Sequence, residues 1–191
     1  MKNLCLASKN QGKIAEYKKL LAVVNCKLLL QPESLEVDED GLTFRDSAIK
    51  KASEVSRKTN NFSIADDSGI CIEALDGKPG IYSSRYAEND QKRIKRVLKE
   101  LDGVQNRGAF FIANICVCSP NGEVIIESEA KCYGNIIFNP RGKGGFGYDP
   151  IFEESSTELT FAEMNNAIKD SCSHRGKALK KIIPDLIEIF S

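Results

Sequence analysis

The first thirty residues constrain the fold most. A short apolar stretch, Asn3 to Ala7, runs into the polar turn Ser8-Lys9-Asn10-Gln11-Gly12. Ile14, Tyr17 and Leu21 then recur at helical spacing, and Cys26 to Leu30 is apolar again. Strand, tight turn, helix and strand in that order start an α/β sheet. Thr43 followed by Asp46 resembles a capping box, with Ala48, Ala52 and Val55 on one helical face. Phe62 to Ala65 and Ile70 to Ile72 read as two short strands around a polar turn, Asp66-Asp67-Ser68-Gly69. Pro79-Gly80 is turn chemistry, and Ile94, Val97, Leu98 and Leu101 mark an amphipathic helix. Ala109 to Cys118, Pro120-Asn121-Gly122 and Glu123 to Lys131 predict a β-hairpin, with a third strand over Tyr133 to Phe138. Gly142, Gly144, Gly145 and Gly147 predict a mobile loop. Thr160 to Glu163 reads as a second capping box. Ser173 reads as the cap of a last helix that Pro184 is expected to kink or break. Strands alternating with helices and then a hairpin imply a mixed α/β sheet. With no repeat or linker, residues 1–191 are expected to form a single domain of two lobes.

Charge and cysteine usage exclude several functions. Twenty-seven basic against twenty-seven acidic residues leave no net field for a polyanion. The basic helix face of Lys92, Arg93, Lys95, Arg96 and Lys99 lacks interleaved aromatics, so it reads as solvated surface and no nucleic-acid partner is expected. Seven scattered cysteines without a CxxC pair read as reduced, mostly buried thiols rather than a zinc site. With no signal-like leader before the first apolar run, a cytoplasmic location is expected. No apolar run approaches the ~20 residues of a membrane span.

Three groups of residues carry chemistry. Ser8 to Lys13 lies where a strand gives way to a helix, and the first helical N–H groups lack partners there, so an anion or a plain helix cap fits. Its spacing is not that of a P-loop. Glu36, Asp38, Glu39 and Asp40 crowd one acidic loop, while Asp66-Asp67 lies between apolar segments where a charge is costly unless partnered. Such carboxylates suit magnesium, which takes one or two of them with substrate phosphates and water. His174-Arg175 holds the only histidine and follows Ser173 at a helix start, a poor place for two cations unless they serve a ligand. A donor array there suits a purine with a 6-oxo group, with Phe146 or Tyr148 stacking on the base.

SKNQGK at the first turn, EDGLTF at 39–44, ADDSG at 65–69, PGIYSSRY at 79–86, GGFGYDPIF at 144–152 and SHRG at 173–176 occur in one order. Together, over nearly the whole chain, they resemble the inosine-triphosphatase family of non-canonical purine nucleoside triphosphate pyrophosphatases. The resemblance implies an elongated mixed sheet flanked by helices, in two lobes with a nucleotide cleft between them, and a cytoplasmic homodimer. It also implies magnesium-dependent hydrolysis of ITP, dITP and XTP to monophosphate and pyrophosphate, with manganese as a possible substitute. Under it Ser8, Lys9, Asn10, Gln11, Gly12 and Lys13 form the phosphate-binding turn, and Glu39 and Asp67 hold the metal. Asp67 is also the proton acceptor. Ser68 contacts substrate, Phe146, Gly147, Tyr148 and Asp149 form the base-proximal segment, Lys169 is a substrate lysine, and His174 and Arg175 read the base. Ser47 stands where the family usually has Asn, and the segment after Tyr86 is shorter than in some members. Three rivals remain: a pyrophosphatase for modified pyrimidines, a nucleotide-binding regulator without turnover, and a nucleic-acid module on the 92–99 face.

Overall fold

The apolar stretch that opens the chain becomes the strand to which two others pair in parallel. In the computed structural model, which describes residues 1–38 and 41–191, β1 (Asn3–Leu6) pairs with β2 (Lys27–Leu30) and with β3 (Phe62–Ile72). β4 (Gly108–Cys118), β5 (Val124–Ile136) and β6 (Phe152–Glu154) complete a six-stranded sheet in the order β2-β1-β3-β4-β5-β6. β6 runs antiparallel to β5, so the sheet is mixed, as expected.

Five helices accompany it among the described residues: α1 (Gln11–Leu20), α2 (Phe44–Thr59), α3 (Asp90–Glu100), α4 (Asn166–Cys172) and α5 (His174–Phe190). Four are stopped at their N-termini by side chains that accept otherwise unpaired amides. Asn10 takes the Lys13 N–H at 3.1 Å, Thr43 that of Asp46, Asn89 that of Lys92 and Asn165 that of Ile168. Asn60 closes α2 in the left-handed region, φ 51°.

The chain divides into two compact units. The first comprises Met1–Asp67, Ala113–Ala130 and Arg175–Ser191; the second comprises Ser68–Ile112 and Lys131–His174. Strand alternation builds two cores in the first unit. Leu4, Leu6, Ile64, Ile115 and Val117 pack with Ile14 and Tyr17 of α1 and with Leu179, Ile182 and Leu186 of α5. The intervening positions Cys5, Ala7, Ala65, Cys116 and Cys118 are small and pack with Ala48, Ala52 and Val55 of α2. Several of the seven free cysteines are thus small buried hydrophobes, as read from sequence. The second unit has one core, with Ile70, Ile72, Phe111, Phe152 and Phe161 among its members together with Val97 and Leu101 of α3.

Several sequence expectations are corrected. Residues 62–72 form one unbroken strand, because the Asp66 and Asp67 charges are met by cations and no turn is needed to expose them. Residues 124–136 are likewise one strand, which absorbs most of the separate strand expected over 133–138. The Glu163 carboxylate does accept the Thr160 N–H at 2.8 Å, but only a turn follows, and the helix starts beyond Asn165. Ser173, extended in conformation, ends α4 and directly precedes α5, the position expected of it. Pro184 does not break α5: Leu179, Ile182, Leu186 and Phe190 on either side of it are buried, and that packing carries the helix past the missing N–H.

Candidate active site

β1 ends at Leu6, and the turn to α1 follows from local bonding. Ser8 Oγ accepts the Asn10 N–H at 3.2 Å, and Asn10 in turn caps the helix. The cap starts the helix at Gln11 and places Lys13, one turn in, with its ammonium largely buried. Lys9 and Gln11 are exposed and Gly12 is half-buried; Lys9 lies 3.9 Å from Glu36.

Lys13 reaches the first polar residue of β3. Its Nζ donates to the Asp66 carbonyl at 3.1 Å and lies 3.5 Å from Asp66 Oδ1. Lys51 on α2 donates to the same carbonyl at 2.9 Å and to Asp67 Oδ1 at 2.8 Å. Two ammonium groups therefore share one acceptor beside a carboxylate. Arg175, the second residue of α5, donates from Nε to Asp66 Oδ2 at 2.6 Å and from Nη1 to Glu16 at 3.0 Å. The Asp66 side chain is 2% exposed, so these cations are what makes its charge tolerable.

Electrostatics separates the adjacent aspartates. Burial alone would raise the Asp66 carboxyl, but Lys13 and Arg175, with Lys51 behind them, hold it well below the usual carboxylate range. Asp67 goes the other way: burial pushes it up more than Lys51 and Lys13 pull it down. Lys13 is pushed by burial down to about 8, against the pull of Asp66. Asp66 is a permanent anion that organises cations, while Asp67 is a carboxylate of raised basicity. A divalent cation suits Asp67, a hard oxygen donor whose charge is poorly solvated. Glu39, the other expected metal ligand, lies outside the described residues, as does Asp40. Ser47 is buried on α2, and a Cβ on Gly41 would run into its Oγ, so a glycine is required at that approach.

The remaining expected residues up to His174, beginning with Ser68 on β3, belong to the second unit. The glycine-rich segment is not loose at its end. Gly147 takes φ +63°, the Phe146 N–H donates to Asp149 Oδ2 at 2.9 Å, and the Tyr148 hydroxyl donates to the Ser83 carbonyl at 2.8 Å. Lys169 of α4 donates to Asp149 Oδ2 at 2.7 Å, and its Nζ lies 5.2 Å from the Phe146 ring centre. His174 is buried and stacks on Phe111, with centroids 4.7 Å apart and planes within 10°; Phe161 lies parallel at 6.1 Å. His174 and Arg175 are thus adjacent in sequence yet placed differently, one among aromatic rings and the other between carboxylates. The Arg175 charge at this helix start is met by the Asp66 and Glu16 carboxylates.

The model of the Ham1 family matches residues 4–185. The chain belongs to the Ham1 family. This bears out the resemblance to inosine triphosphatases carried by the six motifs. A "dITP/XTP pyrophosphatase" of Prochlorococcus marinus subsp. pastoris is 81% identical over all of both chains. Another so named, from a Nostoc species, is 46% identical over 100% of this chain and 97% of its own. Among solved structures, a HAM1 protein from Coxiella burnetii superposes with a TM-score of 0.89 at 38% identity, covering 98% of this chain and 100% of that one.

Sequence reading missed Lys51, Glu16 and the organising part of Asp66. The signal for Asp66 was present: a charge flanked by apolar strand residues needs partners. Nothing singled out Lys51, because which helical lysine reaches the Asp66 carbonyl depends on how the helix sits on the sheet.

Proposed function

We propose that the chain hydrolyses non-canonical purine nucleoside triphosphates, dITP, XTP and ITP, to the monophosphate and pyrophosphate with magnesium. It thereby clears deaminated purines from the nucleotide pool. The observation that carries the reading is the convergence of Lys13 and Lys51 on one carbonyl beside Asp67. Two cations sharing an acceptor exchange it readily for phosphate oxygens, and the first amides of α1 add donors. The names of the relatives and their identity to this chain support the same chemistry.

Asp67, with Glu39 on the strength of the resemblance, would hold the magnesium, which neutralises triphosphate charge when bound. Lys13 and Lys51 bind and orient the phosphates, and Ser68, next to Asp67 in sequence, adds a hydroxyl. Asp67 is also the proposed acceptor of the proton from the water that attacks the α-phosphorus, and pyrophosphate leaves. In the second unit Phe146 stacks on the base, Tyr148, buried in the core and bonded to the Ser83 carbonyl, supports that segment, and Lys169 holds Asp149 in place. His174 and Arg175 are proposed as readers of the 6-oxo group on the resemblance alone. The protein is proposed to work in the cytoplasm as a homodimer and as one domain of two lobes, without nucleic acid or membrane.

The test is a panel of dITP, XTP, ITP, ATP, GTP, CTP and UTP with magnesium, products separated by chromatography. Rapid release of pyrophosphate from the first three, with ATP nearly untouched, is expected. Asp67→Asn should lower kcat about 10²–10⁴-fold. Release of single phosphate, or near-normal turnover by the variant, overturns the reading.

A further inference from the structure

One carboxylate outside the residues considered so far is tied to the segment proposed to meet the base. Asp90 is the first residue of α3, yet it does not cap the helix; the Asn89 side chain does. Asp90 Oδ2 instead accepts the Gly147 N–H at 2.7 Å across 57 residues of chain. Its Oδ1 accepts from Arg93 Nη1 at 2.6 Å, and Arg93 Nε donates to the Ala87 carbonyl at 3.1 Å, so the carboxylate is itself held in orientation. Gly147 sits between Phe146 and Tyr148 with φ +63°, a conformation that glycine takes without a steric penalty. The Phe146 amide is fixed by Asp149 and the Tyr148 hydroxyl by the Ser83 carbonyl. Asp90 supplies the third anchor, the one that comes from α3.

We propose that Asp90, aligned by Arg93, is a positioning residue for the nucleobase: by holding the Gly147 amide it sets where the Phe146 and Tyr148 rings stand. The proposal rests on the reading that residues 146–149 meet the base. A carboxylate accepting a backbone N–H is a charge-assisted bond, stronger than a neutral one, and it restrains a glycine that otherwise samples several backbone wells. Loosening it costs base binding and leaves the phosphate groups and the proton transfer untouched.

The test uses the full-length enzyme with Asp90→Ala and Asp90→Asn. Steady-state kinetics on dITP are measured beside inhibition by inorganic triphosphate, which has no base. Asp90→Ala should raise the KM for dITP about tenfold with kcat within about twofold, the size expected for one charge-assisted hydrogen bond. The inhibition constant of inorganic triphosphate should stay unchanged. Asp90→Asn keeps an acceptor for Gly147 and should recover most of the KM, which a general loss of packing would not do. An unchanged KM in Asp90→Ala overturns the proposal. So does equal weakening of inorganic triphosphate, or a fall in kcat alone. Phe146→Ala separates the two claims: if it too leaves the KM unchanged, the base-proximal reading has failed with the proposal. If it raises the KM and Asp90→Ala does not, only the role of Asp90 is lost.

Discussion

Each unit buries a lysine against an aspartate, and they handle the cost differently. In the first, Lys13 and Asp66 belong to a network that also takes in Lys51, Asp67, Arg175 and Glu16, with the Asp66 carbonyl serving as a second acceptor. In the second, Lys169 and Asp149 form one pair, with the rings of Phe146 and Phe161 lying 5.2 and 5.5 Å from the ammonium. The first arrangement keeps several cations charged and exchangeable, which suits polyphosphate. The second surrounds a single charge pair with aromatic surface, which suits a heterocycle.

The sharpest way to break the comparison is Asp66→Asn, which strips the first network of its central anion. Arg175 keeps its bond to Glu16 but loses its buried carboxylate partner, and a loss of about 3–5 kcal/mol is expected, read by urea unfolding at neutral pH. Because the folded-state carboxyl of Asp66 is depressed, its contribution is complete above the unfolded pKa of about 3.9 and drains away as pH falls through the folded value. The gap between wild type and variant should therefore begin to narrow below about pH 4 and go on closing as the pH falls further. A constant gap across that range would show that the charge is not what matters.

Next comes Lys51→Met, which removes a phosphate donor from the first unit alone. Inhibition by inorganic triphosphate should weaken about ten- to hundredfold, the range for a hydrogen bond to a charged group. This is the opposite of the result expected for Asp90. If inorganic triphosphate still binds as tightly, the assignment of phosphate to the first unit fails. The smallest effect is Phe161→Leu in the second unit, which keeps apolar bulk but loses ring stacking on His174 and Phe111. A thermal melt should show a loss of about 1 kcal/mol. A loss as large as that of Asp66→Asn would erase the contrast between the units.

Much of this was legible in advance. Asn10 and Thr43 announce their helices because a side-chain acceptor three residues before an amide is a local matter. The same holds for Leu4 and Leu6 alternating with Cys5 and Ala7, whose period of two assigns each to a face whatever lies beyond. Pro184 and the Asp66-Asp67 turn misled for the converse reason. A proline's missing N–H and a strand's two carboxylates carry local penalties, and distant partners outweighed both.

The sequence by itself determined the mixed sheet, the capped helices, the reduced thiols and the family, since these rest on spacing and on motifs that any reader of the chain can see. Tertiary structure alone decided that Arg175 is paired with Asp66 across 109 residues, that Lys51 joins it, and that Asp90 holds Gly147. Such contacts depend on where whole elements come to rest, and the energy of one charge meeting another is set by a distance that no local pattern contains.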